Sequence, residues 1–401
     1  MPNFVDFLFF FYMFVGLYMT SFLLLLYVRN RKELFAYPPA RKLEPVSIVV
    51  PCYNEGENIG KTIESLLNLD YPRNMIEIIV VDDKSKDNSA EVARRYAKKY
   101  PNVRVIVNKR NSGGAAEPTN IGVRAAKYDY VAVADADSTP DRDALRKMIG
   151  YLQNDEKVGA VTCAVLARNP KKFMQKLQAI EYAIIAWSRK LLDFIDGVYV
   201  TPGPFALYKK KILIEVGLFD TKNITQDIEI VWRMNYYGYK ARMCLATRVH
   251  SETPSELMKW VRQRIRWNIG GKQCMLKYIN VLFRKGMLGA FILPFFTFSM
   301  FLGFFGIVLF TYLTGRGLLI RYLDLKYSLY AGSSIMHLQE LSFAPSILNF
   351  FGAALFFLGL FFTIYGLGEM KIEKEKRGNI FNLLFYSLVY LTVYPLILVL
   401  S

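Results

Sequence analysis

The stretch IEIIVVDDKSKDNSAEVARRYAKKY, residues 76–100, decides the fold. It begins as a short apolar run, turns through a polar, acidic loop, and continues with helical spacing. A run of this kind, bounded by turn residues, reads as a strand buried on both faces and followed by a crossover helix. The same unit recurs on either side. VSIVVP (46–51) is a strand and IGKTIESLLNL (59–69) a helix; VRVIVN (103–108) and YVAVADAD (130–137) are further strands. Strands alternating with helices over residues 45–250 predict an α/β domain, Rossmann-like, with a mostly parallel sheet and helices on both faces.

In such a sheet ligands bind beyond the carboxyl ends of the strands. The polar residues fall there: PCYNE (51–55) ends the first strand, VVDDKSKDNS (80–89) the second and DADSTPD (135–141) the fourth. The chain has neither G-x-G-x-x-G nor G-x-x-x-x-G-K-[ST], which argues against a dinucleotide oxidoreductase and a P-loop ATPase. Asp135 and Asp137 alternate across Ala136, a spacing that can place two oxygens on one Mg²⁺ or Mn²⁺ already held by a diphosphate. The competing reading of a lone DxD is a solvated turn.

The chain of 401 residues is 53% hydrophobic and 15% aromatic, and the excess is local. Residues 7–28, 287–315, 341–368 and 379–401 carry no charge, and each is long enough to cross about 30 Å of hydrocarbon as a helix. The expected organisation is a first span at 4–28, a cytoplasmic domain at 29–250, an interface helix region at 251–285 and a span at 287–315. A segment outside the membrane at 316–340 and spans at 341–368 and 379–401 complete it. Pro294 and Pro395 are expected to bend two spans. RNRK (29–32) and KIEKEKRG (371–378) place both charge clusters in the cytoplasm and both termini outside. The net charge of +17 reads as attraction to anionic lipid and anionic substrate rather than to nucleic acid. Cys52, Cys163, Cys244 and Cys274 have no paired spacing and read as free thiols, and two histidines are too few for a histidine metal centre.

WVRQRIRWNIGG (260–271) has two readings. On a helical wheel Leu257, Met258, Val261, Ile265, Ile269, Met275 and Leu276 share one face, as a membrane-surface helix requires. Gln263, Arg266 and Trp267 stand at i, i+3 and i+4 on another face, and an anchor has no need of that cluster.

Taken together, these motifs resemble the inverting family 2 glycosyltransferases of GT-A fold. The resemblance covers about residues 45–270 and runs in order: PCYNEGENI, VVDDKSKDNS, DADSTPD, TPGPFALYKK (201–210), TQDIEIVWRMNYYGYK (225–240) and RQRIRW. TPGPFALYKK and Q-x-x-R-W are similar to segments of hyaluronan-, chitin- and cellulose-synthase-like members. The resemblance implies that Asp83, with Glu55 nearby, holds the base of a nucleotide-sugar, although either acid could instead cap a helix start. It implies that Asp135 meets ribose or metal, that Asp137 meets metal, and that Gly203 and Pro204 border the substrate. Asp227 matches the general base; Gln226, where a Glu is usual, has no titratable proton. Arg266 would stabilise the leaving diphosphate, Trp267 would stack on an acceptor sugar or simply pack its helix, and Gln263 would hydrogen-bond in the same site. NSGGAAEPTN (111–120) departs from the family's Lys-bearing loop, which shifts phosphate contact to the metal and Arg266; Glu117 and Pro118 have no evident role.

The expected protein is a membrane-embedded, metal-dependent glycosyltransferase using a nucleotide-diphospho-sugar, with a UDP-sugar favoured, on the cytoplasmic side. Its acceptor is a polysaccharide that it extends processively and exports, or, alternatively, a lipid-linked acceptor that receives one or a few sugars. Non-enzyme rivals are a nucleotide-sensing transporter, against which stand four expected spans without an ionisable side chain, and an inactive scaffold, against which stands the full motif set.

Overall fold

The computed structural model describes residues 4–332 and 347–401. Eight strands form one sheet: β1 (Val46–Cys52), β2 (Ile76–Asp82), β3 (Val103–Val107), β4 (Tyr130–Val133), β5 (Thr139–Pro140), β6 (Val158–Ala167), β7 (Ala206–Lys209) and β8 (Lys240–Ser251). Their order is β3-β2-β1-β4-β7-β6-β8-β5. β3, β2, β1 and β4 are parallel, as the alternation of strand and helix requires. β7 then enters antiparallel between β4 and β6, and β6 pairs with β8 in parallel. The sheet is therefore parallel in the half whose strands are legible as apolar runs and mixed in the other.

Both faces of the sheet are covered, which explains those runs. Successive residues of one strand enter opposite layers. Val49, Ile79, Val81 and Val131 join one buried cluster, and Ile48, Val50, Ile78 and Val80 the other. The helices of the domain are α2 (Ile59–Leu67), α3 (Ser89–Lys99), α4 (Ala116–Ala125), α5 (Ala144–Asn154), α6 (Phe173–Asp193), α7 (Lys210–Glu215), α8 (Gln226–Tyr236) and α9 (Leu257–Tyr278), preceded by α1 (Phe4–Asn30). Close packing leaves no room for side chains at some crossings. A Cβ on Gly122 in α4 would lie 2.3 Å from Val49 Cγ1 of β1.

Beyond α9 come α10 (Leu293–Ala331), α11 (Ile347–Glu369) and a final segment, Ile380–Val399. Among the described residues three helical stretches are long and apolar enough to cross a bilayer: Phe7–Glu33, Leu288–Ala331 and Ile380–Val399. Their apolar side chains face outward, with Phe7, Phe14 and Leu25 each more than half exposed, which gives the protein a membrane-embedded part. α10 runs unbroken past Gly315, so 316–331 of the segment expected outside the membrane is a helical continuation of the span. The onset of the third expected span, 341–346, lies outside the described residues. Pro294 and Pro395 each follow a π-helical turn, Leu288–Ile292 and Tyr386–Tyr390. A proline has no N–H for its i−4 carbonyl, and a widened turn is one way of absorbing that loss.

Candidate active site

A cavity of about 750 Å³ opens at the carboxyl ends of β1 and β4 and continues to the membrane helices. Glu55, Asp135, Asp137, Gly203, Pro204, Asp227, Gln263, Arg266 and Trp267, nine residues singled out in the sequence from segments up to 212 positions apart, all line it. At its other end the wall is Phe296, Met300 and Gly303 of α10 and Tyr394, Pro395 and Leu398 of the final segment.

Asp135 follows β4 directly. Its carboxyl is pushed up to about 7, first by burial and then by Asp137 and Asp227, with Arg266 opposing. Asp137 is also raised, chiefly by burial, while Ser138 Oγ donates to it at 3.1 Å. Gly203 has a steric reason to be glycine: a Cβ there would sit 2.7 Å from Asp135 Oδ1. The loop before β7 can thus approach the carboxylate closely while leaving it open.

Two carboxylates held in a poorly compensated negative environment suit a hard divalent cation such as Mg²⁺ or Mn²⁺. No group of three or more His, Cys, Asp or Glu side chains gathers as a metal cage among the described residues. The donor set therefore fits an ion whose remaining ligands come from a bound diphosphate, and Asp135 and Asp137 would hold it. The four cysteines are buried free thiols and contribute no ligand set.

Asp227 stands in the first turn of α8. Burial raises its carboxyl, opposed by backbone N–H groups and by Arg266 and Arg189. Its helix is fixed from behind by buried Glu229, which accepts from Lys277 Nζ at 2.6 Å and Tyr278 Oη at 2.9 Å of α9 and pairs with Arg233. α8 and α9 are thereby held as a unit. Gly270 of α9 touches the loop before Asp227 so closely that a Cβ would lie 2.1 Å from Thr225 Oγ1.

α9 divides its apolar face: Val261, Ile265 and Met275 pack against buried clusters of the protein. Leu257, Met258 and Leu276 are exposed on the apolar face, while Gln263, Arg266 and Trp267 look into the cavity. What spacing alone missed is Arg264, which is fully buried. Its guanidinium lies 4.0 Å from the Trp267 ring centroid and 5.6 Å from that of Trp260. It donates to Gln263 Oε1 at 2.8 Å and pairs with buried Glu181 of α6. Tyr390 of the final segment donates to the same Glu181 at 2.7 Å. The signal was present in the sequence: tryptophans at i−4 and i+3 flank Arg264 on one helix face. Trp267 accordingly both packs, against Arg264 and Tyr182, and forms cavity wall.

Asp83 stands apart from the cavity wall. Its buried carboxylate accepts from Asn108 Nδ2 at 2.6 Å and from Ser112 N and Oγ at 2.9 and 2.7 Å, tying the end of β2 to the loop after β3. Glu55 is raised chiefly by burial and accepts from Asn58 at 3.0 Å. Neither acid's side chain caps α2 or α3. Arg189 of α6, unremarked in the sequence, is a further buried cavity residue.

A GT-A sheet, with carboxylates at its strand ends and a Q-x-x-R-W helix closing the cavity, defines a glycosyltransferase-type protein. Residues 44–270 match the family model described as glycosyltransferase like family 2, and the chain belongs to that family. It is similar to poly-beta-1,6-N-acetyl-D-glucosamine synthase of Staphylococcus aureus, 35% identical over 237 residues, or 59% of this chain and 57% of that one. It is also similar to the synthase of the same name from Staphylococcus epidermidis, 29% identical over 368 residues, covering 90% and 84% of the two chains. The chain thus spans little more than half the length of the first of these relatives. Among solved structures a mannosyltransferase from Pyrobaculum calidifontis, in complex with GDP-Man and Mn²⁺, shares the fold. Its TM-score is 0.52 at 22% identity, over 72% of this chain and 85% of that one.

Proposed function

We propose that this protein is a membrane-embedded inverting glycosyltransferase that extends a polysaccharide processively from a UDP-sugar. UDP-N-acetylglucosamine is the first donor to test, because the relatives are named for a polymer of N-acetylglucosamine. The observation that carries the reading is the single cavity running from Asp135, Asp137 and Asp227 to Phe296, Met300 and Leu398 of the membrane helices. A chain elongated at the carboxylate end has an apolar exit beside it.

In this reading Asp227 takes the proton from the acceptor hydroxyl as that oxygen attacks the anomeric carbon from the face opposite the diphosphate. The new C–O bond forms as the bond to the diphosphate breaks. Arg266 faces the charge that develops on the leaving group. A divalent cation bound by Asp135 and Asp137 would neutralise the diphosphate. Trp267 offers an indole face to the acceptor pyranose, and Gln263, on the same helix face, fixes its orientation. Glu55 and Asp83, at the ends of β1 and β2, border the place proposed for the nucleoside.

The topology proposed is cytoplasmic for the catalytic domain and external for both termini. Arg31, from the charge cluster after α1, pairs with Glu369 at the end of α11 at 3.4 Å, and Tyr27 donates to the same carboxylate at 2.5 Å. These contacts support a reading in which the two charge clusters share one side, as the positive-inside pattern requires.

The test is product sizing. Limiting protein in lipid nanodiscs receives a panel of labelled nucleotide-sugars and excess acceptor. Long product beside untouched acceptor supports processive synthesis. Single additions to a polyprenyl-linked acceptor would replace it with the second reading, which the opening of the cavity among membrane helices also permits. Absence of nucleoside diphosphate release from every donor would leave a scaffold or transporter.

A further inference from the structure

Arg189 presents a problem that the mechanism above leaves unsolved. It is 5% exposed, and no carboxylate pairs with it among the described residues. Its Nε is buried without a hydrogen-bond partner. Its charge is offset in part by Tyr199, whose ring centroid lies 6.0 Å from the guanidinium carbon and whose side chain bonds to it, and by Asp227, which leaves Nε as the donor still to be satisfied. Burial pulls its pKa below the ordinary arginine value. A buried, unpaired donor in a cavity wall points to a ligand that completes it.

Its location narrows the ligand. Arg189 stands one helical turn from Ile185 and Ala186 on α6, which also line the cavity. Tyr199 packs edge-on against Phe296 of α10, with ring centroids 4.7 Å apart, so Arg189 lies toward the membrane end. It is near enough to Asp227 to oppose the rise in that carboxyl. The donor diphosphate has Asp135, Asp137 and Arg266 on its side. What reaches Arg189 is the acceptor.

Charge narrows it further. Glu55, Asp135, Asp137, Asp227 and Glu252 make the reaction end acidic, and Arg189 and Arg266 are the cations among the described residues that line the cavity. With Arg266 turned to the leaving group, Arg189 is the cation that an incoming sugar meets beside Asp227. A sugar with a free amine carries an ammonium that the carboxylates attract and Arg189 repels. An N-acetylated sugar offers a neutral carbonyl oxygen, which a guanidinium can bind with its free N–H groups.

We propose that Arg189 selects the acceptor, donating to the acetamido carbonyl of an N-acetylated sugar and excluding its de-N-acetylated counterpart. This rests on the reading of the cavity as a glycosyltransferase site for an amino-sugar polymer.

The test compares two acceptors, a β-1,6-linked N-acetylglucosamine pentasaccharide and the same pentasaccharide de-N-acetylated, with labelled UDP-N-acetylglucosamine as donor. Hydrolysis of the donor by water is measured in parallel, because it needs no acceptor contact. The wild type is expected to prefer the acetylated acceptor by at least tenfold in kcat/KM. Arg189→Gln, which removes the charge, should cut that preference to threefold or less with donor KM within twofold; the ratio of the two acceptors is read within each variant, so a change of turnover through nearby Asp227, which donor hydrolysis reports, cancels from it. Arg189→Lys keeps the charge and loses the planar fork. It should still exclude the amine but show a raised KM for the acetylated acceptor. A wild type that uses both acceptors equally, or variants whose preference is unchanged, would overturn the inference. Loss of donor binding in both variants would also overturn it, by making Arg189 a structural residue. A wild type that turns over no donor would instead overturn the underlying reading.

Discussion

Replacing Glu181 by Leu should show what holds the acceptor-side helix in place. The Glu181 and Arg264 side chains are 7% and 0% exposed, so solvent screens neither. Glu181→Leu keeps roughly the volume but strands the Arg264 guanidinium between two indoles and leaves the Tyr390 hydroxyl without its acceptor. Removing one partner of a buried pair costs about 3–5 kcal/mol, against about 0–1 kcal/mol for an exposed pair. The double variant Glu181→Leu/Arg264→Leu removes both charges, and an apolar pair in such a place is often neutral in stability. Most of the lost stability should therefore return. Transfer should not return with it, since Gln263 loses its donor and Trp267 the cation stacked on its ring. Both quantities are measurable on one sample: the free energy of unfolding in detergent micelles, and acceptor KM against kcat. A loss below about 1 kcal/mol for the single variant would refute the buried-pair argument. Full activity in the double variant would refute the positioning role of Arg264.

Gly270→Ala would put a methyl 2.1 Å from Thr225 Oγ1, and overpacking of this kind costs about 1–3 kcal/mol. It should lower kcat by prising α9 from the loop that carries Asp227 while leaving donor KM nearly unchanged; unaltered kinetics would show that the contact is slack. The Asp135 carboxyl, raised to about 7, takes up its proton as pH falls through that value, and the stability that protonation lends the folded state is lost as pH rises through it. A cation needs the ionised form, so the thermal stabilisation given by Mn²⁺ with UDP should grow across pH 7 and fade below it; a flat profile would exclude Asp135 as a ligand. Trp267→Ala should abolish elongation of an added oligosaccharide while donor hydrolysis persists, and parallel loss of both would assign the indole to folding alone.

The parallel half of the sheet was legible because β1, β2 and β4 are covered on both faces and so appear as apolar runs. β6, equally buried in VGAVTCAVLA, and β8, which carries Arg242 and Arg248 on its less buried positions, were harder to single out. Their pairing depends on β7 entering antiparallel, a long-range event that no local pattern records. The candidate site was legible to the extent that strand ends and helix faces collect residues: nine candidates share the cavity. Asp83 illustrates the limit. The position at the end of β2 was readable, whereas the donors that saturate its carboxylate come from Asn108 and Ser112, across β3. Arg264 and Arg189 illustrate another. A sequence shows that a residue is charged but not that tertiary packing has buried it, and a lone arginine in AIIAWSRKLL was the available hint.

Asp227→Asn tests the central claim most directly, because it removes the proton acceptor and little else. The account predicts that UDP-sugar affinity, measured with the purified variant in nanodiscs, stays within a few-fold of wild type. Transfer should fall by about 10²–10⁴, the range that general-base catalysis supplies. Near-normal turnover with Asn at that position would contradict it.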